Sequence, residues 1–192
     1  SSELITYISN LSFSYLPDIY FVNMSCGSFG DPNALPGSVM DPDTGCYCLG
    51  NTCNCGDNTY NTISKNYDDF VYNAGITVIA AAGNRGGIDG YVSNQSIGMN
   101  VLSVGNYMDV VESDYYVRYD ESSFLNPNNT HSLKPEISAP GCNINAGLSV
   151  TNSDVIVETG TSQSTAFITG MLSNRASAWT SPSHCVLTPD LM

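Results

Sequence analysis

The chain has 192 residues, a length that suits one domain, and 42% of them are hydrophobic, enough to bury a core. Five Lys and Arg against 18 Asp and Glu give a net charge of −13, a field that repels phosphate backbones and anionic lipid and so argues against nucleic-acid and membrane-surface partners. Twelve Tyr and six Phe argue against disorder, and no apolar run approaches the ~20 residues of a spanning helix.

Only 12% of the residues are charged, which leaves the surface to Ser, Asn, Thr and Gly, as in exported proteins. The chain begins Ser1-Ser2 with no initiator Met and no basic-then-apolar leader. It therefore reads as a processed or excised piece whose export signal lies upstream. Leu4, Ile8 and Leu11 recur at helical spacing beside Tyr7, and Pro17 closes a short helix. Ile19 to Met24 is a nearly continuous apolar run before Cys26-Gly27, expected to be a strand buried on both faces.

Residues 28–58 form a turn-rich excursion that carries Cys46-x-Cys48-x4-Cys53-x-Cys55. Local disulfides, a four-cysteine metal site and free thiols are the three readings. The C-x-C spacing is tighter than a metal knuckle and favours disulfides, hence an oxidising compartment. Cys26, Cys142 and Cys185 lie apart from the cluster, and the total of seven leaves at least one thiol free or paired outside the chain.

Tyr60, Ile63, Tyr67, Phe70 and Val71 restore the helical period until Asn73-Ala74-Gly75, and Ile76 to Ala82 follows as a second buried strand. Strand, crossover helix and strand make a right-handed parallel unit. A third strand is expected at Val101 to Val104, an extended piece at Ile137 to Ala139, a hairpin closed by Val155 to Val157, and a helix from about Thr161 to Ala178. The class is α/β, with no internal repeat and no linker.

Chemistry concentrates at two places. Glu158-Thr159-Gly160-Thr161-Ser162-Gln163-Ser164-Thr165-Ala166 begins the last helix. There a Ser meets unpaired N–H groups and the positive end of the helix dipole, which favour a developing oxyanion; an ordinary N-cap is the plainer reading. Ala80-Ala81-Ala82-Gly83-Asn84 ends a buried strand in small residues and an amide, which either admits a ligand to the backbone or makes a turn.

Together these segments resemble the subtilisin-like serine peptidases. Gly160-Thr161-Ser162-Gln163-Ser164-Thr165-Ala166 matches the nucleophile motif G-T-S-x-A-T-P, with Gly170 at its later glycine. Val78 to Asn84 is similar to the oxyanion-hole strand, Val22-Asn23-Met24-Ser25-Cys26-Gly27 to the substrate-pairing strand, and Lys134-Pro135-Glu136-Ile137-Ser138-Ala139-Pro140-Gly141 to K-P-[DE]-[IV]-x-A-P-G. The resemblance implies a three-layer α/β fold with a mostly parallel central sheet, incomplete at both ends. It makes residues 1–192 part of a peptidase domain with a Cys-rich insertion around 28–58.

Carried over by position, Ser162 is the nucleophile, and Asn84 donates to the oxyanion together with the Ser162 N–H. Ser25, Cys26 and Gly27 pair with the substrate backbone, while Ala81, Ala82 and Gly83 line the pocket and residues 87–100 its floor, where Ser93 and Asn94 point to a weakly charged surface. Asn84 stands where the acid-acting sedolisins have Asp. Ser164, Ala166 and Phe167 depart from the usual Ala, Pro and His, as modest changes on a buried helix start.

The family's Asp and His motifs precede the region covered here, so both are expected from an upstream segment, the implied partner besides a peptide substrate. Asp43-Thr44-Gly45 reads as a turn, and His131 and His184 as solvated residues. Thr188-Pro189-Asp190 starts a helix that the sequence does not finish. The reading is a secreted, extracellular serine endopeptidase whose 192 residues alone are inactive. The alternative is a non-catalytic binding or regulatory module of the same fold. No cofactor is required for the chemistry. Structural calcium at Asp41-Pro42-Asp43-Thr44-Gly45 stays open, since the spacing is not an EF-hand and solvated acids explain it as well.

Overall fold

The computed structural model describes residues 20–29, 37, 39–40, 46–54, 56–109, 116–147 and 154–179. The helix expected at residues 4–11, the acids at 41–45, His184, Cys185 and the helix start at 188–190 lie outside them. In chain order the strands are β1 (Phe21–Met24), β2 (Val39–Met40), β3 (Tyr47–Leu49), β4 (Thr52–Asn54), β5 (Thr77–Ala81), β6 (Val101–Asp109), β7 (Tyr116–Arg118), β8 (Ile137–Pro140), β9 (Ile144–Gly147) and β10 (Val155–Glu158). The helices are α1 (Thr62–Ala74) and α2 (Thr161–Trp179).

Strands β1, β5, β6 and β8 are parallel. Val104 lies opposite Ala81 on one edge of β6 and opposite Ile137 on the other, which puts β6 inside the sheet. β7 adds antiparallel pairing at the far end of β6, from Tyr107–Arg118 to Asp109–Tyr116. Alternation along β5 then sorts its side chains into two cores. Val78 and Ala80 join Met24, Tyr67, Phe70, Val71, Ile76 and Val101 beneath α1, whereas Ile79 joins Val104, Ala139 and Ile168 beneath α2. Each Val, Ile, Met or Phe side chain so buried contributes about 1.5–3 kcal/mol. Helix, sheet and helix are the three layers that the sequence implied.

Helix α1 begins and ends where its sequence says. Asn61 Oδ1 accepts from the Ile63 and Ser64 N–H groups at 2.9 and 3.2 Å, and Ser64 Oγ accepts from the Asn61 N–H at 3.5 Å, a reciprocal cap. Gly75 closes the helix at φ 63°, its N–H donating to the Val71 carbonyl at 3.0 Å. The Lys134–Glu136 segment ties β8 to β6. Lys134 Nζ donates to the Gly98 and Val101 carbonyls at 2.6 and 2.9 Å and pairs with Glu136, whose other oxygen accepts from the Ser103 N–H at 2.8 Å. Burial pulls the Lys134 ammonium below its ordinary pKa, with Glu136 opposing the shift.

Three expectations need correction. β1 is not buried on both faces: Phe21 and Val22 are half-buried and Asn23 is exposed, because among the described residues β1 pairs only with β5. The excursion is not all turn, since β2, β3 and β4 make an antiparallel meander with Cys48 opposite Cys53. The third strand runs on to Asp109, five residues past Val104. The hairpin is as expected, β9 pairing β10 from Gly147–Val155 to Ile144–Glu158. Cys26 and Cys142 are free thiols; the Cys53 side chain and Cys55 lie outside the described residues, and with them the pairing expected of the cluster.

Candidate active site

Ligand sites in open parallel sheets form at the carboxyl ends of the strands. Here β5 runs out through Ala82 and Gly83 to Asn84, β1 runs out to Ser25, and α2 begins above both. Thr161, the first residue of α2, is 1% exposed and fixes the amide of Asn84. Its N–H and its hydroxyl both donate to Asn84 Oδ1, at 3.0 and 3.1 Å, and the hydroxyl accepts from the Gly83 N–H at 3.1 Å. With Oδ1 engaged twice, Nδ2 is the end left to donate. It lies beside Gly160, where a Cβ would come within 3.1 Å of it.

Ser162 follows on the first turn and is half-buried. Its hydroxyl donates to the Ser25 carbonyl at 2.5 Å, and the Ser25 hydroxyl donates back to the Ser162 carbonyl at 3.1 Å. Asn23 holds this pair from beneath, its Nδ2 donating to Ser25 Oγ at 2.9 Å while its Oδ1 accepts from Thr169 of α2 at 3.1 Å. The nucleophile expected from sequence, the amide expected beside it and the strand expected to receive substrate thus meet at one helix start.

The remaining expected residues divide. Cys26 is exposed and Gly27 half-buried. A Cβ on Gly27 would sit 2.6 Å from that of Ser93, so glycine lets the two segments touch. Ser93 and Ser96 donate to the Ala81 carbonyl at 2.9 and 2.8 Å, which carries the 93–96 turn across the end of β5. Gly83 is half-buried, whereas Ala81 and Ala82 are buried, Ala82 against Val92 and Ile97.

Of the three motif departures only Ser164 lies on the buried side. Its hydroxyl donates to the Ala139 carbonyl at 2.9 Å, which explains why a polar group is tolerated there. Ala166 and Phe167 are exposed, Phe167 by 56%, contrary to the buried placement expected of them. Gly141 packs against the same turn, where a Cβ would lie 2.2 Å from Ser164 Oγ. His131 is exposed, and no described hydrogen bond joins it to Ser162. A cavity of about 520 Å³ lined by Val71, Tyr72, Met99, Leu102, Glu136 and Leu172 lies at the opposite, amino ends of the strands. Among the described residues no three His, Cys, Asp or Glu side chains gather closely enough to hold a metal ion.

Thr161 and Asn23 are site residues that the sequence does not single out. Thr161 is one residue of the nucleophile motif, immediately before Ser162. Asn23 was the one polar residue inside an apolar run, a signal that it faces something specific.

No curated protein matches the chain. Among solved structures, sphericase superposes with a TM-score of 0.66 at 19% identity, over 98% of this chain and 51% of that one. The prenylagaramide maturation protease PagA gives 0.62 at 19%, over 97% and 53%, and the patellamide maturation protease PatA 0.63 at 18%, over 97% and 53%. At such identities the likeness is one of fold, and the chain spans about half the length of these proteins. The family profile described as "Subtilase family" matches residues 2–186. With that match over nearly its whole length, the chain belongs to the subtilase family of serine peptidases.

Proposed function

We propose that this chain is the Ser162-bearing part of a secreted subtilisin-type endopeptidase that cuts peptide bonds through an acyl-enzyme on Ser162, with the Asp and His supplied by an upstream segment. The observation that carries the reading is the Asn84 amide, turned by Thr161 so that its donor faces the helix start bearing Ser162. A hydroxyl is a weak nucleophile until a base takes its proton. The Ser25 carbonyl, which now holds that proton in a hydrogen bond, cannot accept it outright, so the hydroxyl must turn from Ser25 to the incoming base.

In the proposed sequence Ser162 Oγ attacks the scissile carbonyl as its proton passes to the His. The oxyanion receives hydrogen bonds from Asn84 Nδ2 and the Ser162 N–H. Collapse then expels the amine, which takes the proton from the His, and water releases the acyl group by the same steps reversed. An extended peptide pairs with residues 25–27 past the end of β1. A non-catalytic module has no use for Ser162 and an oriented Asn84 together, and this favours the peptidase over that alternative.

An oxidising compartment carries with it cross-linking among Cys46, Cys48, Cys53 and Cys55. The register that sets Cys48 opposite Cys53 supports it, as does the fact that the free thiols among the described residues are Cys26 and Cys142. Calcium is at most structural in this reading. Replacing Ser162 by Ala in the protein joined to its Asp and His is expected to abolish both peptide hydrolysis and labelling by a serine-directed phosphonate. Undiminished labelling would assign the chemistry to another residue.

A further inference from the structure

Asn84 is followed by a cation that does not face the solvent. Arg85 is 6% exposed. Its guanidinium clasps Asp89, with Nε 3.0 and 3.1 Å from the two carboxylate oxygens and Nη2 on the second of them. Burial lifts the Asp89 carboxyl, but the hydrogen bonds from Arg85 and the Tyr91 N–H outweigh it and hold the group below its ordinary value. The other side of the fork points at the insertion, where Nη1 donates to Cys46 Sγ at 3.5 Å and Cζ lies 5.3 Å from the centre of the Phe29 ring. Cys46 is fully buried. Phe29 also presses on the residue before Asn84, for a Cβ on Gly83 would come within 2.2 Å of its Cζ. Asn84 therefore sits between two residues that are packed against the cysteine-bearing insertion, Gly83 against Phe29 and Arg85 against Phe29 and Cys46.

Strands of two and three residues hold themselves weakly, so the position of Cys46 depends on whatever links its cluster. We infer that the insertion braces the oxyanion loop through Arg85, and that reducing the cysteine cluster releases the brace and slows the chemistry at Ser162. The inference rests on the cross-linked reading of the cluster and on the peptidase reading of the site. The redox step is a thiol–disulfide exchange with a dithiol. The reagent gives two electrons and two protons, the cluster S–S bond becomes two thiols, and the reagent closes to its own cyclic disulfide. Cys26 and Cys142 are thiols already and are unchanged by it. Arg85 is then a positioning residue. It touches neither Ser162 nor Asn84 Nδ2, and acts by fixing the backbone that carries Asn84.

Peptide mapping of the unreduced protein first fixes whether Cys46, Cys48, Cys53 and Cys55 are joined. Hydrogen exchange at the amides of Gly83, Arg85 and Thr161 is then compared before and after treatment with dithiothreitol, a readout that needs no peptidase activity. Exchange there is expected to quicken about tenfold while Val78 to Ala81 stay protected. In the protein joined to its Asp and His, kcat is expected to fall about tenfold, with KM within twofold. Arg85→Gln should reproduce that loss in the oxidised protein and remove the response to dithiol; Arg85→Lys, which keeps the charge and loses the fork, should do so with less risk to folding. Unchanged exchange and kcat with a cluster shown by alkylation to be reduced would overturn the inference, as would free thiols or stoichiometric zinc in the unreduced cluster. Faster exchange in a protein that never hydrolyses peptides would overturn the peptidase reading and leave the brace standing.

Discussion

A side-chain amide has two ends of nearly equal shape and opposite chemistry, so its use depends on what holds one of them. Thr161 holds the oxygen of Asn84 with two donors and thereby commits the nitrogen to the outside. A donor employed mainly in the transition state should affect turnover alone. Asn84→Ala is accordingly expected to lower kcat by about 10²–10³ with little change in KM; peptide kinetics on the protein joined to its Asp and His would show this, and a loss confined to KM would contradict it. At this scale Ser162 and Asn84 were legible because each stands in a short string of unusual residues. The orienting role of Thr161 was not, because it spans 77 positions in the chain and appears only when α2 is laid over β5.

Helix α1 offers a test at the scale of the element. Tyr67 faces the sheet with 2% of its surface exposed, and its hydroxyl makes no hydrogen bond among the described residues. Burial, with Cys26 adding to it and Gln95 opposing it, pushes the phenol up from 10.0 to about 12. Tyr60 is likewise raised to about 12, by burial and by its bond to Asp68. A group raised in the fold keeps its proton where the unfolded chain loses it. The stability it lends is therefore whole below pH 10 and is lost as pH climbs towards 12. Tyr67→Phe should flatten that alkaline decline and cost little at neutral pH, since no bond is broken; denaturant titrations at pH 8 and pH 11 would measure both, and an unaltered slope would refute the assignment. Helix α1, with its clear helical period, and β5, within an unbroken apolar run, were legible in the sequence. β2 to β4 were not, because two or three residues are too few to show alternation. The extension of β6 was hidden by Gly105 and by Asn106, which is buried at 1% exposure with its amide on Cys142 Sγ at 3.5 Å.

For the whole molecule, the order of the motifs along the chain conveyed the architecture better than any single element did, because the same carboxyl ends of β1 and β5 had to meet one helix start. What the order could not convey is which surfaces are left open. Phe167 and Met171 on α2 are 56% and 50% exposed, and Val155 and Val157 on β10 63% and 58%. Apolar area of this kind is where a further segment gains by packing. On the proposed reading the 192 residues alone do not turn over peptides, and adding the segment with the Asp and His raises both thermal stability and activity. A fluorogenic peptide assay and a melting curve, each with and without that segment, test this together. Full turnover by the chain alone, lost on His131→Ala or His184→Ala, would place the base elsewhere.

The five basic residues of the chain are Lys65, Arg85, Arg118, Lys134 and Arg175. Lys65 and Arg175 lie within helices and Arg118 within β7, while Arg85 and Lys134 are 6% and 3% exposed and Lys134 precedes a proline. Cleavage by a foreign protease needs some residues of extended, accessible chain around the target bond. Of the five, Arg118 meets that description, as the last residue of the exposed strand β7, so a trypsin-like enzyme is expected to nick the folded protein there before it cuts at the two buried or the two helical cations.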